Sequence, residues 1–282
     1  MNMHIGVMIF ATDYAMPAGE LAAELEQRGF ESLFVTEHTH IPASRESPWP
    51  GGAELPREYS HTYDPFVCLS FAAAKTKELK IGTSVCLLPQ RDTIVTAKLV
   101  ASLDRMSGGR FVFGIGGGWN REEMADHGIS YRDRFRRMGE QVQAMKRLWT
   151  EEEAEFQGDF VNFSASWQHP KPLQKPHPPI LLGGETDYTL KRVVDYCDGW
   201  MPRTRFGFDA AEGMNRLRRF AKEAGRDADS LSVSVFGAPP DGPVLDGYRS
   251  EGIDRAIIGL PSAGRETLLP LLDQHAALLK GA

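Results

Sequence analysis

Histidine can give or take a proton near neutral pH, and His38 stands where that matters, at the end of Val35-Thr36-Glu37-His38-Thr39-His40. A polar cap on a strand end is the alternative reading of this residue. Glu37, His38 and His40 are also metal-ligand types, but no second ligand cluster accompanies them, so no metal site is expected. Further along, Phe113-Gly114-Ile115-Gly116-Gly117-Gly118-Trp119-Asn120 closes another apolar run in glycines. Glycines let a ligand approach the backbone, and the free N–H groups of a following helix attract anions. A tight strand-to-helix turn would need the same residues. The cluster is no dinucleotide fingerprint, because it follows the fourth apolar run and lacks an acidic strand-end partner about 20 residues on. Ile180-Leu181-Leu182-Gly183-Gly184-Glu185-Thr186 offers a second backbone cradle for a phosphate. Arg203 and Arg205 carry the charge to grip an anion, or to lie solvated in a loop. Ser84, small and within a buried run, marks a bulge, a close neighbour or a plain packing position. The arginines of Tyr131-Arg132-Asp133-Arg134-Phe135-Arg136-Arg137 read as a charged outer helix face.

These residues need a scaffold that brings strand ends together. Apolar runs at 4–10, 32–36, 79–86, 110–116, 179–183, 199–202, 231–236 and 255–259 are mostly continuous, as in parallel strands covered on both faces. Amphipathic stretches separate them at 18–28, 66–75, 94–106, 138–149, 186–196, 210–224, 243–250 and 265–279. In the first, Leu21, Ala22 and Leu25 share one side, and Gly29 ends the helix. Eight strand-helix pairs predict an α/β chain folded as a (β/α)₈ TIM barrel, read as a single domain over residues 1–282. An open doubly wound sheet is the competing architecture. Two connections exceed plain turns and read as insertions after strands two and four, at about 37–65 and 150–178. The first carries Trp49, Tyr59, His61 and Tyr63; the second holds a hairpin candidate across Gln157-Gly158-Asp159 and then a proline-rich stretch. The first insertion reads as a lid or substrate wall, with Trp49 its candidate contact.

Composition narrows the class. Apolar residues make up 41% and charged residues 25%, close to ordinary soluble protein. No apolar run nears the roughly 20 residues that span a bilayer, and the first residues lack a signal-peptide layout, so no membrane association and a cytoplasmic location are expected. Cys68, Cys86 and Cys197 form no paired spacing and read as reduced thiols. A net charge of -6 disfavours nucleic acid as partner.

Taken in order, these segments resemble one family. The acid-His pair after strand two, Gly82-Thr83-Ser84-Val85 in strand three, Ser102-Leu103-Asp104-Arg105-Met106-Ser107-Gly108-Gly109-Arg110 leading to Gly114-Ile115-Gly116-Gly117-Gly118-Trp119-Asn120, then Pro178-Pro179-Ile180-Leu181-Leu182-Gly183-Gly184 and Cys197-Asp198-Gly199-Trp200 are similar to the luciferase-like monooxygenases. The similarity runs over essentially the whole chain and is greatest to the members using the deazaflavin coenzyme F420. It implies an oxidoreductase with a flavin-type ring across the barrel mouth, His38 against the ring as the catalytic group and Glu37 near its polar edge. It also implies that Ser84 and Val85 back the ring across a cis peptide, and that Gly116, Gly118, Asn120, Gly183 and Gly184 line the tail and phosphate. Trp119 stands where some relatives carry a different, catalytic residue, and Trp119, Trp49 and Arg203 are assigned to the substrate side. The implied activity is hydride transfer to or from a small organic substrate with coenzyme F420. FMN-dependent monooxygenation is the alternative, and a non-catalytic flavin-binding protein a third reading. A homodimer is implied as well, with the surfaces of residues 66–74 and 94–103 as its expected interface.

Overall fold

The computed structural model describes residues 3–52 and 54–281. Residues 1, 2, 53 and 282, which include the very start of the chain and one position of the expected first insertion, lie outside the described residues. Among the described residues ten strands occur in chain order: β1 (His4–Ile9), β2 (Ser32–Val35), β3 (Lys80–Thr83), β4 (Phe111–Ile115), β5 (Ala154–Gln157), β6 (Asn162–Ser166), β7 (Ile180–Gly183), β8 (Gly199–Met201), β9 (Ser232–Ala238) and β10 (Arg255–Gly259). Eight of them close a barrel in the order β1-β10-β9-β8-β7-β4-β3-β2, every pair parallel. The remaining two, β5 and β6, form the antiparallel hairpin expected in the second long connection.

The continuous apolar strands have two faces to bury, and both are buried. Outward residues such as Leu33, Val35 and Ile81 join a core shared with the helices. Inward ones, among them Met8, Phe34, Val112, Leu181, Met201 and Ile257, fill the barrel itself. Gly82 is part of that fit, since a Cβ there would lie 2.4 Å from the Phe34 ring.

The helices are α1 (Ala18–Arg28), α2 (Pro65–Lys75), α3 (Thr93–Met106), α4 (Arg121–Asp126), α5 (Arg134–Thr150), α6 (Asp187–Tyr196), α7 (Ala210–Glu223), α8 (Gly242–Glu251) and α9 (Arg265–Ala276). Gly29 ends α1 in the left-handed region at φ 85°, a conformation glycine adopts without penalty. Asp64 and Asp92 cap α2 and α3 by accepting N–H bonds in their first turns. Two differences from the sequence reading bear on the site: α4 is an additional short helix, and α5 begins at Arg134 instead of 138. Among the described residues no helix is long and apolar enough to cross a membrane.

An ion cluster lies at the N-terminal end of the barrel strands. Arg255 binds Glu31 with both prongs, at 2.8 and 2.7 Å, and Lys80 adds a contact at 3.0 Å. Burial alone would raise the Glu31 pKa, but the Arg255 guanidinium, the Ser32 hydroxyl and the Lys80 charge together pull it down to about 2.

Candidate functional site

The opposite, C-terminal mouth opens into a cavity of about 830 Å³, within the range of small-molecule and cofactor sites. Its floor is Met8, Met201 and Phe236. Eleven strand-end and strand-following positions singled out in the sequence or by resemblance converge on it: Glu37, His38, Ser84, Val85, Gly116, Gly118, Trp119, Gly183, Gly184, Arg203 and Arg205. Trp49 of the first insertion joins them as a wall.

His38 is buried and engaged on both ring nitrogens. Nδ1 lies 2.8 Å from Glu123 Oε2, and Nε2 receives the indole N–H of Trp119 at 3.3 Å. Tyr59, from the first insertion, packs on the imidazole with ring centroids 5.2 Å apart, and Trp119 meets it edge-on at 5.7 Å. Phe10 and Trp49 surround Tyr59 at 4.6 and 5.8 Å. The wall beside His38 is therefore largely aromatic. The insertion that supplies it is pinned to the barrel: the Thr62 hydroxyl donates to the His38 carbonyl at 2.9 Å and Tyr63 N–H to Ala11 O at 2.8 Å. Ser47 N–H donates to Glu122 on α4 at 2.6 Å.

Behind this wall the β3 ladder breaks. The sequence predicts a strand through 86, but regular pairing stops at Thr83 and resumes only at a Cys86–Ile115 bridge. The intervening Ser84–Val85 peptide is cis, as the resemblance implied. Gly183 and Gly116 leave room for the Val85 side chain, since a Cβ would meet it at 3.1 and 2.4 Å.

Three expectations change. Asn120 does not line the cavity: it is buried, and its Oδ1 accepts the Glu123 N–H at 3.1 Å as the N-cap of α4. That helix start is therefore capped from within and not open to an anion. Glu37 borders the cavity, yet its oxygens are engaged by the Leu87 N–H at 2.7 Å and by Arg91 Nε at 2.6 Å, which fixes the loop after β3. Arg203 is held by Glu185 in a two-pronged ion pair at 2.6 and 2.8 Å, so its charge is already answered. Arg205 stacks over Trp49 at 4.5 Å.

The sequence reading missed the cationic end. Arg134, at the start of α5, and Arg192, on α6, both line the cavity beside Gly184 and lie over the Phe135 ring at 4.3 and 4.1 Å. Among the described residues no carboxylate pairs with Arg121, Arg134 or Arg192. Burial, and the neighbouring Arg192 and Arg121 charges, push the Arg134 pKa below the ordinary guanidinium range, with Tyr131 opposing. Arg134 Nε and the cavity hydroxyls of Thr36 and Ser84 are buried with no hydrogen-bond partner among the described residues. Such orphans cost about 1–3 kcal/mol each, and they are met when a ligand supplies the other half of the bond. The cavity thus has an aromatic end bearing the His38 imidazole and a cationic end at Arg134, the combination a flavin-type group with a phosphorylated tail fits. Among the described residues no group of His, Cys, Asp and Glu could hold a metal ion.

A parallel barrel with its glycine-ended strands around one histidine-bearing mouth is the class of fold that this chain adopts. Residues 3–239 match the profile of the luciferase-like monooxygenases, and the chain belongs to that family. It is 36% identical over 282 residues to an uncharacterised protein of Mycobacterium tuberculosis, covering 98% of this chain and 99% of that one. It is 34% identical over 116 residues to the FMNH(2)-dependent dimethylsulfone monooxygenase of Pseudomonas putida, covering 40% of this chain and 32% of that enzyme. Its fold matches an F420-dependent secondary alcohol dehydrogenase solved with an F420-acetone adduct, at TM-score 0.77 and 18% identity, over 99% of this chain and 98% of the other.

Proposed function

We propose that this chain is an oxidoreductase that moves a hydride between a deazaflavin of the coenzyme F420 type and a small organic substrate. The observation that carries the reading is the two-ended cavity: a buried imidazole on an aromatic wall at one end, and at the other guanidiniums that have no carboxylate partner among the described residues. When bound, a deazaflavin supplies a ring carbon that accepts or gives a hydride and reacts poorly with oxygen. Its tail is anionic, and Arg134 and Arg192, which line the cavity and have no carboxylate partner among the described residues, suit such a tail. In this reading the Gly183-Gly184 backbone and these arginines bind the tail, Ser84 and Val85 back the ring, and Tyr59, Trp49 and Trp119 exclude water from the reacting atoms. His38 handles the proton that accompanies the hydride.

FMN-dependent monooxygenation is the second reading, supported by the similarity to the Pseudomonas putida enzyme. Titration of the cofactor-free protein with F420 and with FMN, followed by quenching of each cofactor's fluorescence, decides between them. Tighter binding of F420 is expected, and equal or reversed dissociation constants defeat the deazaflavin reading. His38→Ala should bind cofactor but lose about 10²- to 10⁴-fold in turnover, the usual contribution of a placed acid–base group.

A further inference from the structure

Glu123 lies on α4 with no exposed surface, and a carboxylate so buried must be answered by donors. Its Oε1 accepts the Thr39 backbone N–H at 3.1 Å and faces the Thr39 hydroxyl at 3.4 Å; its Oε2 faces His38 Nδ1 at 2.8 Å. An ionised carboxylate only accepts, so Nδ1 carries a hydrogen. On the other side of the ring the Trp119 indole N–H points at Nε2 at 3.3 Å, and an indole only donates. Two partners, each with a single role, require the same tautomer. They come from one segment, because Trp119 immediately precedes the Asn120 cap of the helix that carries Glu123.

We propose that Glu123 is a positioning residue: it locks His38 in the Nδ1–H tautomer, so that Nε2 is the lone-pair nitrogen at the cavity, which takes up a proton when the Trp119 N–H gives way. The tautomer rests on this geometry alone; its consequence for turnover rests on the proposed function of His38. The arrangement needs a carboxylate specifically. In Glu123→Gln the amide oxygen is held by the fixed Thr39 N–H, which turns the NH₂ toward Nδ1. Nδ1 must then accept, the hydrogen moves to Nε2, and Nε2 faces the Trp119 N–H donor to donor.

Long-range ¹H–¹⁵N correlation spectra of the ¹⁵N-histidine-labelled, cofactor-free protein at about pH 8, above the usual imidazole range, read the tautomer directly. The His38 signals are identified by their loss in His38→Asn. The expected spectrum of the unaltered chain shows Nδ1 protonated and Nε2 bare, and Glu123→Gln shows the reverse. Turnover of Glu123→Gln should fall about 10²- to 10⁴-fold in kcat, with cofactor Kd unchanged. An Nε2–H tautomer or an imidazolium in the unaltered chain overturns the proposal, and so does a Glu123→Gln spectrum that keeps Nδ1–H. If Glu123→Gln does not fold, the spectrum of the unaltered chain decides alone. A reversed tautomer with undiminished kcat upholds the lock and instead defeats the reading of His38 as the proton-transfer group.

Discussion

Replacing Arg134 with methionine should weaken cofactor binding while leaving the free protein about as stable as before. The binding loss follows from one charge-assisted hydrogen bond to an anion, about 1.5–3 kcal/mol, which is roughly 10- to 150-fold in Kd. The stability balance is nearer to zero. The variant loses the Arg134 hydrogen bond to the Tyr131 carbonyl at 2.6 Å and its stacking on Tyr131 and Phe135, about 1–2 kcal/mol together. It also removes a buried orphan Nε and a guanidinium crowded by Arg192 and Arg121, about 1–3 kcal/mol in the other direction. Met keeps the apolar stem in contact with Phe135. Fluorescence titration at low and high salt, with thermal melts of the free protein, tests both halves. The unaltered protein should lose more affinity with salt than the variant does, and the two melting temperatures should agree within about 4 °C. A Kd within about twofold of the unaltered protein, or a large fall in melting temperature, would refute the assignment of this end of the cavity to an anion.

Trp49→Ala should raise KM several-fold with little change in melting temperature, because Trp49 packs mainly on Tyr59 and Arg205 at the cavity rim; a strong destabilisation with unchanged KM would make it a packing residue. Glu31→Gln should cost about 3 kcal/mol at neutral pH, from the fall in pKa from 4.5 to about 2. Because the folded-state pKa is depressed, this stability is fully present above about pH 4.5 and lost as pH falls toward 2, so the variant should show a shallower acid-unfolding curve by circular dichroism. The outer faces of α2 and α3 leave Val67, Val95 and Phe71 exposed, the last at 67%, with Trp167 nearby in the chain's hairpin region at 74%. Light scattering of a homodimer that Phe71→Glu converts to monomer is the expected result, and a monomer without the substitution rules the interface out. Burial pushes the Cys68 thiol up to about 12 and the Cys86 and Cys197 thiols well above their ordinary range, so a thiol reagent at pH 8 should modify none of them until the protein unfolds.

The barrel was readable because its strands are buried on both faces and its helices on one, so the pattern changes character at each boundary. Glycines and capping acids mark several helix ends independently. His38 and the glycine-ended strands were readable because they sit at strand ends in segments that resemble a known family. What stayed hidden depends on contacts distant in sequence. Glu123 meets His38 across 85 positions, and a six-residue helix is too short to display a 3.6-residue period. Asn120 followed three positions later by Glu123 was nonetheless a legible helix-start signal. Arg134 sits in a run of charges that looks solvated, and only the approach of α6 turns it inward beside Arg192. Arg203 shows the reverse case, a strand-end cation whose charge is neutralised by Glu185, 18 positions earlier.

The two ends of the cavity are supplied by different parts of the chain. The aromatic wall comes largely from one excursion, residues 37–65, whereas the cationic end is built from α5, α6 and the strand-seven glycines. The excursion is fastened at a few points, Thr62 to the His38 carbonyl, Tyr63 to Ala11, and Ser47 to Glu122. Under the proposed function, substrate range can therefore change by rewriting the residues between those fastenings while the proposed cofactor seat stays as it is. A chimaera that exchanges residues 48–61 with those of another family member is accordingly expected to change substrate range while keeping cofactor affinity, and the fastening residues are the ones such an exchange must leave in place.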